Sequence, residues 1–176
     1  MRLLHRGKVS AIWSLLSRGR LEVVLDELPF VLERLSLTKR LNLALAAAEH
    51  TLSLPRRMAL PVILQVEPIN SCNLRCPVCA CGSGLIKRPL QPLPFPLFQS
   101  VIDQTKDFVC AMFFWSWGEP FLHPRAAEMI SYAKKQGLIV HSSTNGHCLT
   151  DAHQAAAVVE SGLDSLVFAV EGLNEE

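Results

Sequence analysis

Between residues 62 and 170 one pattern repeats: a short apolar run, a stretch long enough for a helix, then another run. The runs are "VILQVE" (62–67), "VCAMFFW" (109–115), "LIVHSS" (138–143) and "SLVFAV" (165–170). They are almost continuously apolar and rich in β-branched and aromatic residues, as expected for strands buried on both faces. The intervening stretches predict helices over 97–105, over 124–136, and from Thr150 or Asp151 to 160. Pro124 suits a first turn, Lys134 and Lys135 a last turn, and Gly137 a helix end, while Ser161-Gly162 stops the third helix. Strand, helix, strand at this spacing means right-handed β-α units and a parallel sheet. Two architectures stay open on this pattern: an open doubly wound sheet, or a β/α barrel of which four units form only a part.

Residues 1–60 differ. Leu21, Val24, Leu25, Leu28, Val31, Leu32 and Leu35 fall at helical spacing, with Pro29 as a kink or break. Leu41, Ala44, Leu45, Ala48 and Leu52 form a second apolar stripe, so the region is expected to be a helical extension. "LPRRMALP" (54–61) reads as a linker. The expected organisation is therefore a helical segment over 1–60 and a β/α core over 61–176.

In a parallel β/α fold the ligand site lies at the C-terminal ends of the strands. The first run is followed by "SCNLRCPVCACGSG" (71–84), the second by "SWGEPFLHP" (116–124), the third by "STNGH" (143–147) and the fourth by "EGLNEE" (171–176). All four segments are polar and turn-forming, and all fall at the same end of the sheet. The first holds Cys72, Cys76, Cys79 and Cys81. Structural zinc commonly uses two C-x2-C hooks a dozen or more residues apart, and no second hook follows here. The C-x3-C-x2-C spacing of Cys72, Cys76 and Cys79 suits an iron-sulfur cubane, with one thiolate on each of three irons and the fourth iron open. Zinc on all four cysteines remains the alternative, as a structural or interaction module. With no export signal and no apolar run long enough to span a membrane, the thiols are expected to be reduced in a cytoplasmic protein. A net charge of +1 gives no reason to expect a nucleic-acid partner.

"CNLRCPVC" resembles the signature of the radical S-adenosylmethionine (SAM) enzymes, and the later segments resemble that family's in the same order. These are "WGEPFLHP", "TNG" (144–146) and "LDSLVFAVEG" (163–172). The likeness runs from about residue 62 to the end and looks most like the branch whose full-length members carry a C-terminal SPASM-type domain. It implies an incomplete parallel (β/α) barrel, related to the TIM barrel and truncated after four units. It also implies a [4Fe-4S] cluster on Cys72, Cys76 and Cys79, with SAM on the open iron. One electron would split SAM into methionine and a 5′-deoxyadenosyl radical, which abstracts hydrogen from a substrate. A one-electron donor such as flavodoxin or ferredoxin is implied, and a small-molecule or peptide substrate that the sequence does not name. An inactive truncated fragment of such an enzyme is the further alternative.

By the same likeness, Val78 matches a position that packs on adenine. Gly118 and Glu119 match the segment that receives the SAM amino end. Thr144 and Asn145 match the third-strand segment. Ala169 stands where the family usually has Ser, and Glu171 where it usually has Asp, so the SAM-facing hydroxyl is missing. Cys81 lies outside the three-cysteine scheme. His123, His141, His147 and His153 are read as scaffold or solvent-facing histidines, Cys110 as a core residue and Cys148 as a loop thiol. Phe113, Phe114, Trp115 and Trp117 are read as core and rim packing.

Overall fold

The computed structural model describes residues 2–3, 8–25 and 28–170. It divides into two compact units: Met1–Val62 with Asp107–Cys110, and Ile63–Lys106 with Ala111–Glu176.

The first unit corrects the expectation of an all-helical extension. Its elements are β1 (Arg2–Leu3), α1 (Lys8–Arg18), β2 (Leu21–Leu25), β3 (Leu28–Leu32) and α2 (Leu37–Thr51), with an antiparallel sheet in the order β1-β2-β3. Within each strand the leucines of that pattern, Leu21 and Leu25, then Leu28 and Leu32, also satisfy a period of two, while Val24 and Val31 do not. Leu21 pairs with Leu32 and Val23 with Phe30, all four buried, while Glu22 and the exposed Val31 pair on the other face. One side of the hairpin is thus apolar, and it takes in Val23 and Phe30, which lie outside the helical stripe. Pro29 lies on the edge strand β3, where its missing N–H costs no ladder bond to a further strand.

Ser36 caps α2 by accepting from Lys39 N. Segment 54–61 is no loose linker. The buried Glu49 of α2 accepts from Met58 N (2.5 Å) and Ala59 N (3.0 Å), and the buried Asn42 exchanges two bonds with Leu60. Cys110 is a core residue as expected, its thiol pushed up to about 11 by burial, with Lys39 opposing.

The second unit holds β4 (Ile63–Gln65), α3 (Phe95–Thr105), β5 (Ala111–Phe113), α4 (Ala126–Lys135), β6 (Ile139–Thr144), α5 (Ala152–Glu160) and β7 (Ser165–Phe168). Every strand pairing is parallel and the order is β4-β5-β6-β7. This decides between the two architectures. A doubly wound sheet reverses its strand order at a switch point, whereas here each strand is added beyond the last, as in a β/α barrel.

Alternation along β5 and β6 separates the two faces. Met112, Phe114 and Val140 are fully buried, as are Phe98 and Ile102 of α3 and Met129, Ile130 and Ala133 of α4, and the Phe98 and Phe114 rings meet at 6.4 Å. Burying each of these side chains other than Ala133 contributes roughly 1.5–3 kcal/mol, so this layer carries much of the unit's stability. On the other face Phe113, Trp115 and His141 form a ring cluster with centroids 4.7–5.6 Å apart. Asp151 caps α5 by accepting from His153 N. Among the described residues no helix is long and apolar enough to cross a membrane.

Candidate functional site

Beyond β4 the ladder continues for one bond, Val66 N to Phe113 O, before the chain leaves the sheet. The excursion that carries the cysteines is tied at its neck. Leu93 N donates to Pro68 O (2.7 Å), Ile69 bridges to Pro92, and the buried Asn70 donates to Pro89 O and accepts from Gln91 N, both at 2.7 Å. Beside the neck, Glu67 accepts from Trp117 N and forms an ion pair with Arg88.

Within the excursion the chain turns twice. Cys79 N donates to Cys76 O (3.2 Å) and Ser83 N to Cys79 O (2.8 Å). Gly82 packs on the backbone of Cys76, where an added Cβ would come within 2.5 Å of the amide nitrogen. Cys72, Cys76, Cys79 and Cys81 are all free and half-buried.

The segment after β5 meets this loop through its backbone. Glu119 N donates to Ser71 O (2.9 Å), and Gly118 lies so close to Ile69 that a Cβ would stand 2.0 Å from the Ile69 carbonyl oxygen. Glycine is therefore required for close approach. Gly118→Ala is expected to lower the stability of the fold by about 2 kcal/mol, read as a fall in the urea midpoint. An unchanged midpoint would mean that the segment is not pressed against Ile69.

The side chain of Glu119 is buried, and its two oxygens are largely taken up. Oε1 accepts from Thr144 Oγ1 (2.8 Å) and Phe121 N (3.3 Å), and Oε2 accepts from Asn145 N (2.9 Å). Thr144, buried at the end of β6, in turn accepts from Gly146 N (3.0 Å). Asn145 reaches back to the cysteine loop, donating to Asn73 Oδ1 (2.8 Å) and to Cys72 Sγ (3.7 Å). The segments after β4, β5 and β6 are thereby joined by one run of hydrogen bonds, Cys72–Asn145–Glu119–Thr144. Asn73, Ser71 and Asn70 belong to this assembly without having been singled out from sequence. Their proximity to Cys72 in "INSCNLRC" was the available signal.

Other expected site residues fall differently. Val78 is 96% exposed, so it fills no gap in the loop. Ala169 is exposed and tied to the site through its backbone, Ala169 N donating to Thr144 O (2.9 Å). Glu171 lies outside the described residues.

Cys81 is close to the trio. Burial pushes its thiol up, aided by Cys72, Cys79 and Glu67 and opposed by Arg88. Its Sγ faces Asn70 O at 3.8 Å. Cys148 lies on the short turn after β6, where burial raises its thiol, followed by Glu119 and then Cys72.

His123 is a scaffold residue, with Nε2 on Leu93 O and Nδ1 accepting from Arg125 N at the start of α4. Burial holds it below the usual imidazole range, with Arg125 adding to this and the Leu93 carbonyl opposing. His141 is the buried member of the ring cluster, while His147 and His153 are exposed.

Compared with known proteins, the chain matches the Radical SAM superfamily over residues 66–176. This chain belongs to the radical SAM superfamily. Among curated relatives it is 31% identical over 116 residues to the tungsten-containing aldehyde ferredoxin oxidoreductase cofactor-modifying protein of Pyrococcus furiosus, covering 62% of this chain and 31% of that protein. It is 27% identical over 115 residues to the PqqA peptide cyclase of Gluconobacter oxydans, covering 65% and 32%. The chain thus spans about a third of the length of these relatives. The solved structure of BtrN in complex with AdoMet and 2-DOIA has the same fold, with a TM-score of 0.57 and 20% identity over 65% of this chain and 48% of that one.

Superfamily members use a [4Fe-4S] cluster and SAM. The donor set here fits such a cluster: three free thiols on one short loop, held beside a buried polar assembly. Among the described residues, no three Cys, His, Asp or Glu side chains are gathered as they would be around a single metal ion.

Proposed function

We propose that this chain is the cluster- and SAM-binding part of a radical SAM enzyme, with a [4Fe-4S] cluster held by Cys72, Cys76 and Cys79. The observation that carries this reading is the run of hydrogen bonds from Cys72 through Asn145 to Glu119 and Thr144, which gathers three strand-end segments around one cysteine loop. When bound, the cluster supplies one electron that splits SAM into methionine and a 5′-deoxyadenosyl radical, and this radical takes hydrogen from the substrate.

The chain's own residues bind and orient. The Gly118–Glu119 segment receives the amino end of SAM. Glu119 is mainly a positioning residue, because three of its acceptor sites are occupied by the scaffold. Val78 and Ala169 are exposed and free to meet the nucleoside, with Ala169 offering its backbone only. The substrate is a small molecule or peptide. The electron comes from a donor of the flavodoxin or ferredoxin class, in a reducing cytoplasm.

Anaerobic reconstitution with iron and sulfide, followed by electron paramagnetic resonance of the reduced protein, tests the reading. A cluster signal that changes on adding SAM is expected. A signal indifferent to SAM would remove the SAM-binding claim. One zinc per chain without iron or sulfide would favour a structural zinc module instead.

A further inference from the structure

The amide of Asn145 is fixed in orientation by the groups around it. Its Oδ1 accepts from His147 N at 3.0 Å, which sets which end of the amide is oxygen. Its Nδ2 carries two hydrogens and has two partners on the cysteine loop, Asn73 Oδ1 at 2.8 Å and Cys72 Sγ at 3.7 Å. Its backbone N is held by Glu119 Oε2 at 2.9 Å. Cys72 Sγ also receives Leu74 N at 3.4 Å. Among the described residues, Cys76 and Cys79 receive no such N–H···S bond. The three thiols are therefore unequal: the sulfur of Cys72 is approached by one backbone and one side-chain donor.

As a free thiol, Cys72 turns its own S–H toward Asn73 Oδ1, at 3.8 Å. As a thiolate it has no proton to give and only accepts, so both N–H donors strengthen. Hydrogen bonds to the sulfurs are among the factors that set a cluster's reduction potential. They stabilise the more negative, reduced form more than the oxidised one.

We infer that Asn145, through its Nδ2–H on Cys72 Sγ, raises the reduction potential of the cluster and so eases its one-electron reduction. This rests on the cluster reading above. In the couple concerned, [4Fe-4S]2+ takes one electron from an external reductant such as dithionite to give [4Fe-4S]1+, and no bond forms or breaks. Asn145 acts through Cys72 and is a positioning residue.

The test is a redox titration of the reconstituted full chain without SAM, monitored by electron paramagnetic resonance, on wild type, Asn145→Ala and Asn145→Asp. At the potential that half-reduces wild type, the reduced-to-oxidised ratio is expected to fall roughly tenfold in Asn145→Ala, about 59 mV for one electron. It should fall further in Asn145→Asp, which keeps the acceptor for His147 N and places a charge beside the sulfur. Asn73→Ala, which removes the amide's other partner, should move the ratio far less.

Both Asn145 variants titrating like wild type would overturn the inference while leaving the cluster reading intact. A wild-type chain that takes up no cluster would overturn both. Should the variants fail to hold a cluster, wild type labelled with 15N only in asparagine side-chain amides decides. A hyperfine coupling from one amide nitrogen to the reduced cluster supports the inference, and no coupling overturns it.

Discussion

Alanine at Cys72, Cys76 or Cys79 is expected to reduce bound iron and sulfide to background after anaerobic reconstitution, while Cys81→Ala and Cys148→Ala retain them. Each thiolate of the trio would hold a separate iron, so losing one leaves the cluster attached at two corners and open to solvent on two irons. The loop offers no ready substitute on a matching turn. Cys81 lies within the turn closed by Ser83 N on Cys79 O, and its sulfur faces the neck of the loop at Asn70 O. Cys148 arrives from the turn after β6 and lies near Glu119 and Cys72. Iron and sulfide per chain, with the visible absorbance of the reconstituted protein, measure the outcome. A Cys81→Ala protein that loses its iron with the others would make Cys81 a fourth ligand, and the site would then be closed to SAM.

The parts of the fold legible in the sequence are those set by local chemistry. The apolar runs at 62–67, 109–115, 138–143 and 165–170 contain β4 to β7 because strands covered on both faces must be apolar throughout, and Gly137 and Gly162 mark two helix ends with positive φ. The strand order was not legible from the spacing and came only through the family resemblance. Doubly wound and barrel sheets share the same β-α spacing and differ in the side on which each new strand is added. Residues 21–35 fit both periods in part because an interval of four, as from Leu21 to Leu25 and from Leu28 to Leu32, suits a helix turn and a strand face alike. Leu21, Val23, Phe30 and Leu32 line one face of a hairpin, and local pattern does not choose between the two periods without knowing what they pack against. At the site the motif residues stood out, but their pairings did not. Nothing near Glu119 in sequence announces that Thr144 and Asn145, 25 and 26 residues on, are its partners, nor that Asn145 reaches Asn73 and Cys72 across 72 and 73 residues.

Those pairings change what substitution of Glu119 should do. A residue that only held SAM would leave stability untouched when removed and would abolish SAM binding alone. Here Glu119→Ala strands the buried Thr144 hydroxyl, whose oxygen is already engaged by Gly146 N, together with the part-buried Asn145 and Phe121 amides. Donors left unsatisfied cost about 1–3 kcal/mol each, and partial relaxation toward water brings the expected loss to about 3 kcal/mol. Glu119→Gln keeps the shape and one acceptor oxygen but turns an amide N–H₂ toward a donor, for an expected loss of about 1–2 kcal/mol. Urea unfolding of the full chain measures both, and their order is the informative part. Asn145 is held through its backbone by Glu119, so the alanine variant should also release the side chain from Cys72 and weaken cluster retention, whereas the glutamine variant should retain the cluster. Wild-type stability in Glu119→Ala, with SAM binding lost, would return Glu119 to the role of a direct ligand contact and mean that the buried assembly does not hold the three strand ends together.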